Sequence, residues 1–545
     1  MALLMKHAAP IPFTFLAALA LSSIAVSSAT VRGRIVDERT GAPLPARIYI
    51  SDAAGRWHFP KSEGPAGSSI PYQRTYGGNT NATEQHTTLS AHPFTIELPP
   101  GRYEVGIERG KEYRVFGGVL NVRGEAREEV TFKLRRWVNM ARRGWFSGDT
   151  HVHRQPSEIA NAQLAEDVNV VLPVVHWTTT DRVAPSQSPR NFKGDFGAGL
   201  IRADATHVCY PLNTEYEIFS TGGTNHTSGA FVVAHHRTPF DMPVFPLKGI
   251  AEKARAEGAL IDLEKHNWPW SMAVVPILHP DLFELSNNHL WRTHFAVRRW
   301  AVPAPAYMGI PQGGLESETD WALYGFQTYY ALLNCGFRMS PTAGTANGVH
   351  PVPLGFGRVY VHLESGFDFD HWMAGLKRGA SFVTTGPMLI ATIDGKRPGH
   401  GFKMKTGETR RPKVRAHMLS DSPLTSVEFV VNGRVAQSVQ LEQEFSKETI
   451  ERVVVSDPLE LRGPGWIAVR CWSRLPDGRM RFAHTAPHYY DVPGETPRPT
   501  RQEADFLATR TREEIERSRG LIPASALAEY QESLRFYEGL KAGAR

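Results

Sequence analysis

The chain has 545 residues, of which 41% are hydrophobic and 21% are charged, a length that fits roughly three or four domains with substantial cores. Its formal net charge of +6 is spread along the sequence without basic blocks, so nucleic-acid binding is not indicated. The three cysteines, Cys209, Cys335 and Cys471, are far apart and form no CxxC pair. This excludes a disulfide framework and a structural zinc site, and we expect buried free thiols.

Residues 1–29 have the pattern of a secretory signal peptide, with a lysine near the start, an apolar run, and small residues at Ser27 and Ala29. A membrane anchor is the alternative, but the run is short for a span and is interrupted by Pro10 and Pro12. We therefore expect cleavage, a periplasmic or secreted mature protein, and no integral membrane span.

Residues 30–137 predict an antiparallel β-sandwich. Strand-like segments such as "VRGRIVD", "ARIYISD" and "FTIELPPGRYEVGIERG" alternate with Gly, Pro and Asp turn residues. Between them, residues 61–88 are polar and rich in Gly and Ser, and we expect a long loop there. The phrase "LPPGRYEV" resembles the carboxypeptidase-regulatory-like sandwiches that are often fused to secreted bacterial hydrolases.

Residues 138–386 have a different pattern, in which predicted strands and helices alternate. "FSGDTHVH" predicts a strand, "PSEIANAQLAEDV" a helix, and "NVVLPVVHW" a buried strand of the parallel type. The pattern recurs in "GIAEKARAEGALIDLEKHNW" and "DHWMAGLKRGASFVTT", so we expect a sheet or barrel of βα units. Residues 387–492 predict a second β-sandwich, and residues 493–545 predict C-terminal helices packed on the body.

Histidines are concentrated in the middle region. His151 and His153 alternate along one strand, so both imidazoles face the same side, as does Asp149. Two imidazoles suit one divalent cation, and Asp149 is expected to orient one of them. An HxH pair alone equally fits a polar surface, but later strands end in His176 and His266, where parallel α/β folds gather functional groups.

Carboxylate ligands are expected from "TEYEI", in which Glu215 and Glu217 lie two residues apart and are followed by His226. The spacing does not choose between the two glutamates. His279 is expected to support a ligand without binding metal itself. His235, His236 and His289 are interpreted as core histidines or as supports of a ligand, and His207 and His294 as structural residues.

The segments "GDTHVH", "TEYEI", "GTNH", "LIDLEKHNW" and "SPTAGTANGVH" resemble the PHP (polymerase and histidinol phosphatase) superfamily, and more closely its carbaryl-hydrolase-like CehA/McbA branch. The resemblance covers residues 144–390 and implies a distorted (β/α)7 barrel with divalent ions at the strand ends. It implies the following metal ligands: His151, His153, His176, Glu215 or Glu217, His226, His266 and His350.

Two positions depart from the family pattern. Val175 replaces the aspartate that usually precedes His176, and "TANGVH" carries no carboxylate before His350. Fewer anionic ligands hold several hard cations less well. We therefore expect one or two ions (Zn, Mn or Fe) rather than three.

Such a site favours hydrolysis, because a divalent ion lowers the pKa of bound water from about 15.7 toward about 7 and polarises a carbonyl or phosphoryl oxygen. His176, His266 or Glu217 is expected to accept the proton. An aromatic or sugar-like substrate is expected to contact residues near the strand ends: Trp177, Trp268, Trp270, Asn288 and Arg292.

The sequence thus predicts an exported metal-dependent hydrolase acting on a carbamate, ester or amide bond. Three alternatives remain open. The wider PHP resemblance implies a phosphoesterase, although phosphate-binding nests do not stand out. An amidohydrolase-type barrel also begins with HxH, but Lys265 comes late for its lysine. A non-catalytic glycan- or surface-binding protein with a degenerate barrel would explain the missing aspartates. The oligomeric state is left open.

Overall fold

The computed structural model describes residues 28–77, 79–125, 127–188, 194–295, 297, 300–311, 317–444, 446 and 448–545. Nearly all of the expected signal peptide, residues 1–29, lies outside the described residues. Within them, every helix is too short or too polar to cross a membrane. The three cysteines are buried and free, as expected.

Nine strands form the N-terminal region: β1 (Ala29–Asp37), β2 (Ala46–Asp52), β3 (Lys61–Ser62), β4 (Ser69–Tyr76), β5 (Asn79–Leu89), β6 (Phe94–Leu98), β7 (Gly101–Glu108), β8 (Phe116–Val122) and β9 (Arg127–Leu134). They lie in two sheets, of order β3-β6-β1-β9 and β4-β5-β2-β7-β8. Alternate apolar residues of both sheets, among them Val31, Ile48 and Val105, share one core. The region is therefore two packed sheets.

The expected loop over residues 61–88 is wrong. β4 and β5 form an antiparallel hairpin whose register runs from Ser69↔Leu89 to Thr75↔Thr83. Ile70 and Tyr72 are buried while Pro71, Gln73 and Thr75 are exposed. The strand is polar because one of its faces meets water, which hid its alternation among loop-forming residues.

The middle region contains β10 (Trp145–Val152), α1 (Pro156–Glu166), β11 (Val170–Pro173), β12 (His176–Thr180), β13 (Ile201–Arg202), β14 (Val208–Cys209), β15 (Thr214–Thr221), β16 (Thr224–Asn225), β17 (Ala230–Ala234), α2 (Lys248–Glu257), β18 (Leu260–Leu263), α3 (Ser271–Leu278), β19 (Leu282–Ser286), α4 (Glu318–Asn334), β20 (Ser340–Ala343), β21 (Arg358–His362), α5 (Phe369–Arg378) and β22 (Ser381–Thr384). Strands β10 and β11 are buried along their whole length, as expected for strands covered on both faces. Helices α4 and α5 begin at the caps Ser317 and Asp368.

A closed barrel is not confirmed. Among the described residues, hydrogen bonds place β12-β15-β17-β18-β19-β20 in one sheet and β13-β14-β11-β10-β21-β22 in another. The pairs β15–β17 and β17–β18 are antiparallel rather than parallel. The two sheets meet beside the end of β10, where Val152 forms an isolated bridge with Asn347. The combination of α/β and all-β regions is as expected.

The C-terminal region contains β23 (Met388–Ile393), β24 (Gly401–Lys403), β25 (Thr409–Arg410), β26 (Val414–Ser420), β27 (Leu424–Val431), β28 (Arg434–Gln440), β29 (Ile450–Val455), β30 (Leu461–Arg462), β31 (Gly465–Arg474), β32 (Met480–Thr485), β33 (His488–Asp491), α6 (Arg501–Ser518) and α7 (Ala524–Lys541). The pair β22–β32 continues the sheet of the middle region across residue 386 into β31, β27 and β28.

The expected C-terminal helices are confirmed and pack on the body. Helix α6 begins with a capping box formed by Thr500 and Glu503. Two side chains of α7 bond to carbonyl groups of α3: the Tyr537 hydroxyl donates to Met272 O at 2.8 Å, and the Ser533 hydroxyl donates to Ala273 O at 2.6 Å.

Arg358 joins three segments of the middle region. Its guanidinium is buried and donates to Gly355 O at 2.7 Å and to the end of α1, at Glu166 O (3.1 Å) and Asp167 O (3.2 Å). We expect Arg358→Ala to lower the free energy of unfolding by about 2–4 kcal/mol, because three buried carbonyl groups lose their charged donor. Urea unfolding measures this. The exposed Arg462→Ala is the control and should leave the midpoint unchanged.

Candidate metal centre

Two buried groups of potential metal ligands share His151. The first ligand group is His151, His153 and Glu215, and the second ligand group is His151, Glu264 and Glu284. In the first, the two Nε2 atoms are 3.1 Å apart, and Glu215 oxygens lie 3.5 Å from His151 Nε2 and 3.2 Å from His153 Nε2. In the second, His151 Nδ1 lies 3.2 Å from Glu264 Oε2 and 3.1 Å from Glu284 Oε2.

The ligands come from four strands of both middle sheets. His151 lies near the end of β10 and His153 directly follows that strand, Glu215 lies near the start of β15, Glu264 follows β18, and Glu284 lies within β19. Main-chain hydrogen bonds hold the end of β10 against the segment after β20, including Ala346 N to His151 O at 2.7 Å. Gly344 is required there, since a Cβ would stand 2.5 Å from His151 Cβ and 2.6 Å from Glu284 Oε2.

The donor atoms of the first ligand group fit one metal ion. Ligands at about 2.1 Å from a common ion lie about 3.0–3.4 Å from one another in octahedral or tetrahedral arrangements, close to the 3.1, 3.2 and 3.5 Å found. Both oxygens of Glu215 are buried without a hydrogen-bond donor among the described residues. Buried polar atoms are normally bonded, so this carboxylate fits a cation.

The second ligand group fits the role of orienting His151. A neutral imidazole carries hydrogen on one ring nitrogen and binds metal through the other. With Nδ1–H donating to Glu284 or Glu264, the Nε2 lone pair is directed at the first ligand group. Carboxylates placed in this way fix the ring and raise its basicity. The geometry therefore supports one ion at the first ligand group, with Glu264 and Glu284 behind it.

Negative charge is in excess around the site. Five carboxylates are buried there, those of Glu215, Glu217, Asp262, Glu264 and Glu284, together with the ammonium group of Lys265. Burial is the main cause that raises the pKa of Glu217 and of Glu284 to about 7, and that raises the pKa of Asp262 well above its usual value.

The excess of negative charge also raises the pKa of His151, and the positive charge of Lys265 offsets part of it. Burial alone would lower the pKa of His151, but Glu264 and Glu215 outweigh it and raise that pKa well above its usual value. Lys265 Nζ lies 2.6 Å from Glu264 and 3.4 Å from Glu217, so its charge offsets part of the surplus. Since the surplus remains, a divalent cation would stabilise the cluster.

Asp149 accepts hydrogen bonds from main-chain groups rather than from an imidazole ring. Its carboxylate accepts hydrogen bonds from Thr345 N at 3.1 Å, Thr345 Oγ1 at 2.5 Å, Gly355 N at 2.8 Å and His151 N at 3.3 Å. It therefore supports the metal centre by fixing the segment that follows β20 against β10.

Other expected site residues form the rim of the metal centre. His350 is half-buried, and its Nε2 lies 3.4 Å from Asn288 Nδ2. The half-buried Trp177 packs edge-on against His153, with ring centres 5.1 Å apart. Trp268 is also half-buried, and its ring lies 5.5 Å from Lys265 Nζ.

Histidines 176, 226, 266 and 279 are not in either ligand group. His266 is buried against the rings of Trp321 and Tyr324, and burial lowers its pKa to about 3. His226 lies beside α6, its Nε2 4.0 Å from a Glu514 oxygen. His279 ends α3 and packs on Phe337. His176 is half-buried, and burial lowers its pKa.

Two expected substrate residues are engaged elsewhere. Trp270 is fully buried in the main core between Phe231 and Phe245. Arg292 pairs with Glu108 of the N-terminal region at 2.6 Å and lies over the Tyr49 ring at 4.1 Å. Neither side chain faces the metal centre.

Sequence reasoning missed Glu264 and Glu284. Both belong to short buried strand segments, "LIDLE" and "LFELS", in which a glutamate follows apolar residues. A buried glutamate is costly unless it is paired or binds a metal, and that was the available signal. The recurrent strand-end histidines pointed instead to His266, two residues after Glu264.

No protein-family model matches the chain, and comparison with curated proteins gives no significant match. A solved two-domain protein from Bacteroides vulgatus, described as containing a predicted PHP-like metal-dependent phosphoesterase, aligns with 63% of this chain and 94% of its own at 10% identity. The TM-score is 0.28. A likeness at this level identifies no family, and the metal centre stands on its own geometry.

Metal content tests the ligand assignment. We expect His153→Ala to abolish tight binding of one divalent ion, because it removes a donor of the first ligand group. Glu284→Gln should weaken binding about 10–100-fold without abolishing it, since it alters only the carboxylate behind His151. Elemental analysis and competition with a chelating dye measure both. His266→Ala is the control, and a loss of metal in that variant would contradict the assignment.

Proposed function

We propose that the protein is a hydrolase of the PHP type that uses one or two divalent ions to cleave a carbamate, ester or amide bond. The observation that carries the proposal is the buried first ligand group, with Glu264 and Glu284 behind His151. Its donor set, two imidazole nitrogens and a carboxylate, is typical of catalytic metal sites with room for a further ligand. A distorted barrel remains part of this proposal.

A divalent ion held by His151, His153 and Glu215 would polarise the scissile bond and favour deprotonation of water. The surrounding side chains have separate tasks. Glu264 and Glu284 fix the His151 ring, and Lys265 pairs with Glu264 at 2.6 Å. These three side chains thus keep the metal-binding imidazole of His151 in its orientation and do not themselves contact the substrate.

Glu217 is the proposed proton acceptor. It follows Glu215 by two residues on β15, so the two carboxylates face the same side. It is 9% exposed, whereas Glu215 is 1% exposed, which places Glu217 closer to solvent and to an incoming substrate. Of the other expected acceptors, His266 faces Trp321 and Tyr324, which leaves Glu217 better placed.

An aryl or other flat group on the substrate is supported by the aromatic rings of the rim. Trp177 covers His153 on one side. Tyr76, from the N-terminal hairpin, stacks on His350 with ring centres 6.0 Å apart and packs on Trp291 at 4.8 Å. Both rings are half-buried and so have a face available to a ligand.

The type of bond that the protein cleaves is tested with three substrates: an aryl carbamate, an aryl ester and an aryl phosphomonoester. We expect turnover of the carbamate or the ester that is lost after treatment with a chelator and restored by Mn²⁺ or Zn²⁺. Turnover confined to the phosphomonoester would instead identify a phosphoesterase. A metal-loaded protein that turns over none of the three would favour a binding protein, and turnover insensitive to chelator would refute the mechanism.

Tyr76 tests the role of the rim. We expect Tyr76→Ala to raise KM for an aryl substrate about fivefold with a smaller change in kcat, because a stacked ring contributes about 1 kcal/mol. Tyr76→Phe keeps the ring and should keep KM. Steady-state kinetics with an aryl and an alkyl ester of the same acid provide the comparison, and an equal effect on both substrates would argue against stacking.

A further inference from the structure

A cavity of about 470 Å³ lies where the three regions of the chain meet. Its wall includes residues that follow β7, residues near Arg292 and Phe356 of the middle region, and residues between β31 and β32. We call it the junction cavity. No member of either ligand group lines it.

The wall of the junction cavity is rich in cationic side chains: Lys111, Arg114, Arg292, Arg479 and Arg481. Three of them are matched by carboxylates: Arg292 by Glu108 at 2.6 Å, Arg479 by Asp477 at 2.7 Å, and Arg481 by Glu318 at 2.5 Å. Their charges are therefore already compensated.

Lys111 and Arg114 form no ion pair with any carboxylate among the described residues. Lys111 Nζ donates to Thr385 O at 2.9 Å, and Arg114 Nη1 lies 3.5 Å from Asp421 O. Arg114 Nε and Nη2 are buried without a hydrogen-bond acceptor in the described part of the chain. Two donors of a guanidinium group that lines the cavity thus have unused hydrogen-bonding capacity.

The unmatched charge of Lys111 is unfavourable where it lies. Burial and the neighbouring guanidinium groups of Arg481 and Arg358 lower the pKa of Lys111 well below its usual value. The Asp421 carboxylate, which also lines the cavity, accepts from the Ser422 hydroxyl at 3.1 Å. Lys111 and Arg114 thus stand as two cations beside the single Asp421 carboxylate, and the positive charge left over is stabilised by an anion.

Part of the wall is apolar. Lys111 Nζ lies 3.8 Å from the centre of the Phe356 ring, and Leu475, Pro476 and Val115 also line the cavity. Volumes of roughly 300–1,000 Å³ are typical of small-molecule sites that combine an apolar wall with a few convergent polar groups. The junction cavity has this character.

We propose that the junction cavity is a binding site for a small organic anion whose phosphate or carboxylate group is held by Lys111 and Arg114. The guanidinium of Arg114 suits a planar or tetrahedral oxyanion through two donors, and Lys111 adds a point charge. The apolar part of the ligand packs on Phe356 and Pro476. The site is separate from the proposed hydrolytic centre and does not depend on that function.

Calorimetric titration of the metal-loaded protein with phenylphosphonate, which resists hydrolysis, and with benzoate tests the site. We expect saturable binding of at least one probe that weakens with added salt. Preference for phenylphosphonate identifies a phosphate ligand, and preference for benzoate identifies a carboxylate ligand. Lys111→Met and Arg114→Gln should each weaken binding at least about tenfold, because each removes a charge-assisted hydrogen bond.

Two controls locate the binding. Arg123→Gln removes an exposed arginine of the N-terminal region and should leave affinity unchanged. His151→Ala should also retain binding, and loss of binding in that variant would place the probe at the metal centre and overturn the proposal. Absence of saturable binding of both probes, or unchanged affinity in Lys111→Met, would overturn it as well.

The ligand-induced shift in Tm gives an independent readout. Phenylphosphonate should raise the Tm of the unmodified protein and not that of Lys111→Met. Each protein is compared with itself in a buffer free of oxyanions, because Lys111→Met also loses the hydrogen bond to Thr385 O. An equal rise in Tm in both proteins would contradict the proposal.

Discussion

The structure of the middle region depends on holding five carboxylates beside one ammonium group at the buried ends of strands. Each carboxylate needs a partner, and the fold supplies some of them. Thr342 donates to Asp262 at 2.7 Å, Lys265 pairs with Glu264, and His151 lies against Glu284. These side chains leave an excess of negative charge unbalanced, and a divalent ion at the first ligand group would supply the missing positive charge. Structure and proposed chemistry therefore have one electrostatic origin.

The N-terminal sheets take part in this arrangement rather than standing beside it. Arg47 of β2 pairs with Glu166 at the end of α1, and Arg292 crosses from the middle region to Glu108. The β4–β5 hairpin brings Tyr72 to His350 O and Tyr76 to the rim. A segment that resembled a loop thus supplies one side of the proposed substrate site.

Local patterns in the sequence were sufficient for part of the site. The alternation of His151 with His153 placed these two imidazoles together, and the segment "TEYEI" offered Glu215 or Glu217 as the carboxylate without choosing between them. Glu264 and Glu284 were missed because only the tertiary structure shows that both carboxylates lie within 3.2 Å of His151 Nδ1. Arg292 was placed at the substrate site because local patterns do not show its partner Glu108, which lies 184 residues earlier in the chain. Periodicity also cannot show that the strands divide into two sheets.

The pairing of β22 with β32 fixes which part of the chain can exist alone. If the polypeptide were cut at residue 386, Phe382, Val383 and Thr384 would lose the partners Thr485, His484 and Ala483. The fragment would expose an apolar strand edge, which is a template for intermolecular association. The smallest autonomous folding unit that contains the metal centre therefore extends into the C-terminal β region. An ancestor made of the βα segment alone would have needed another way to cover the edge of β22.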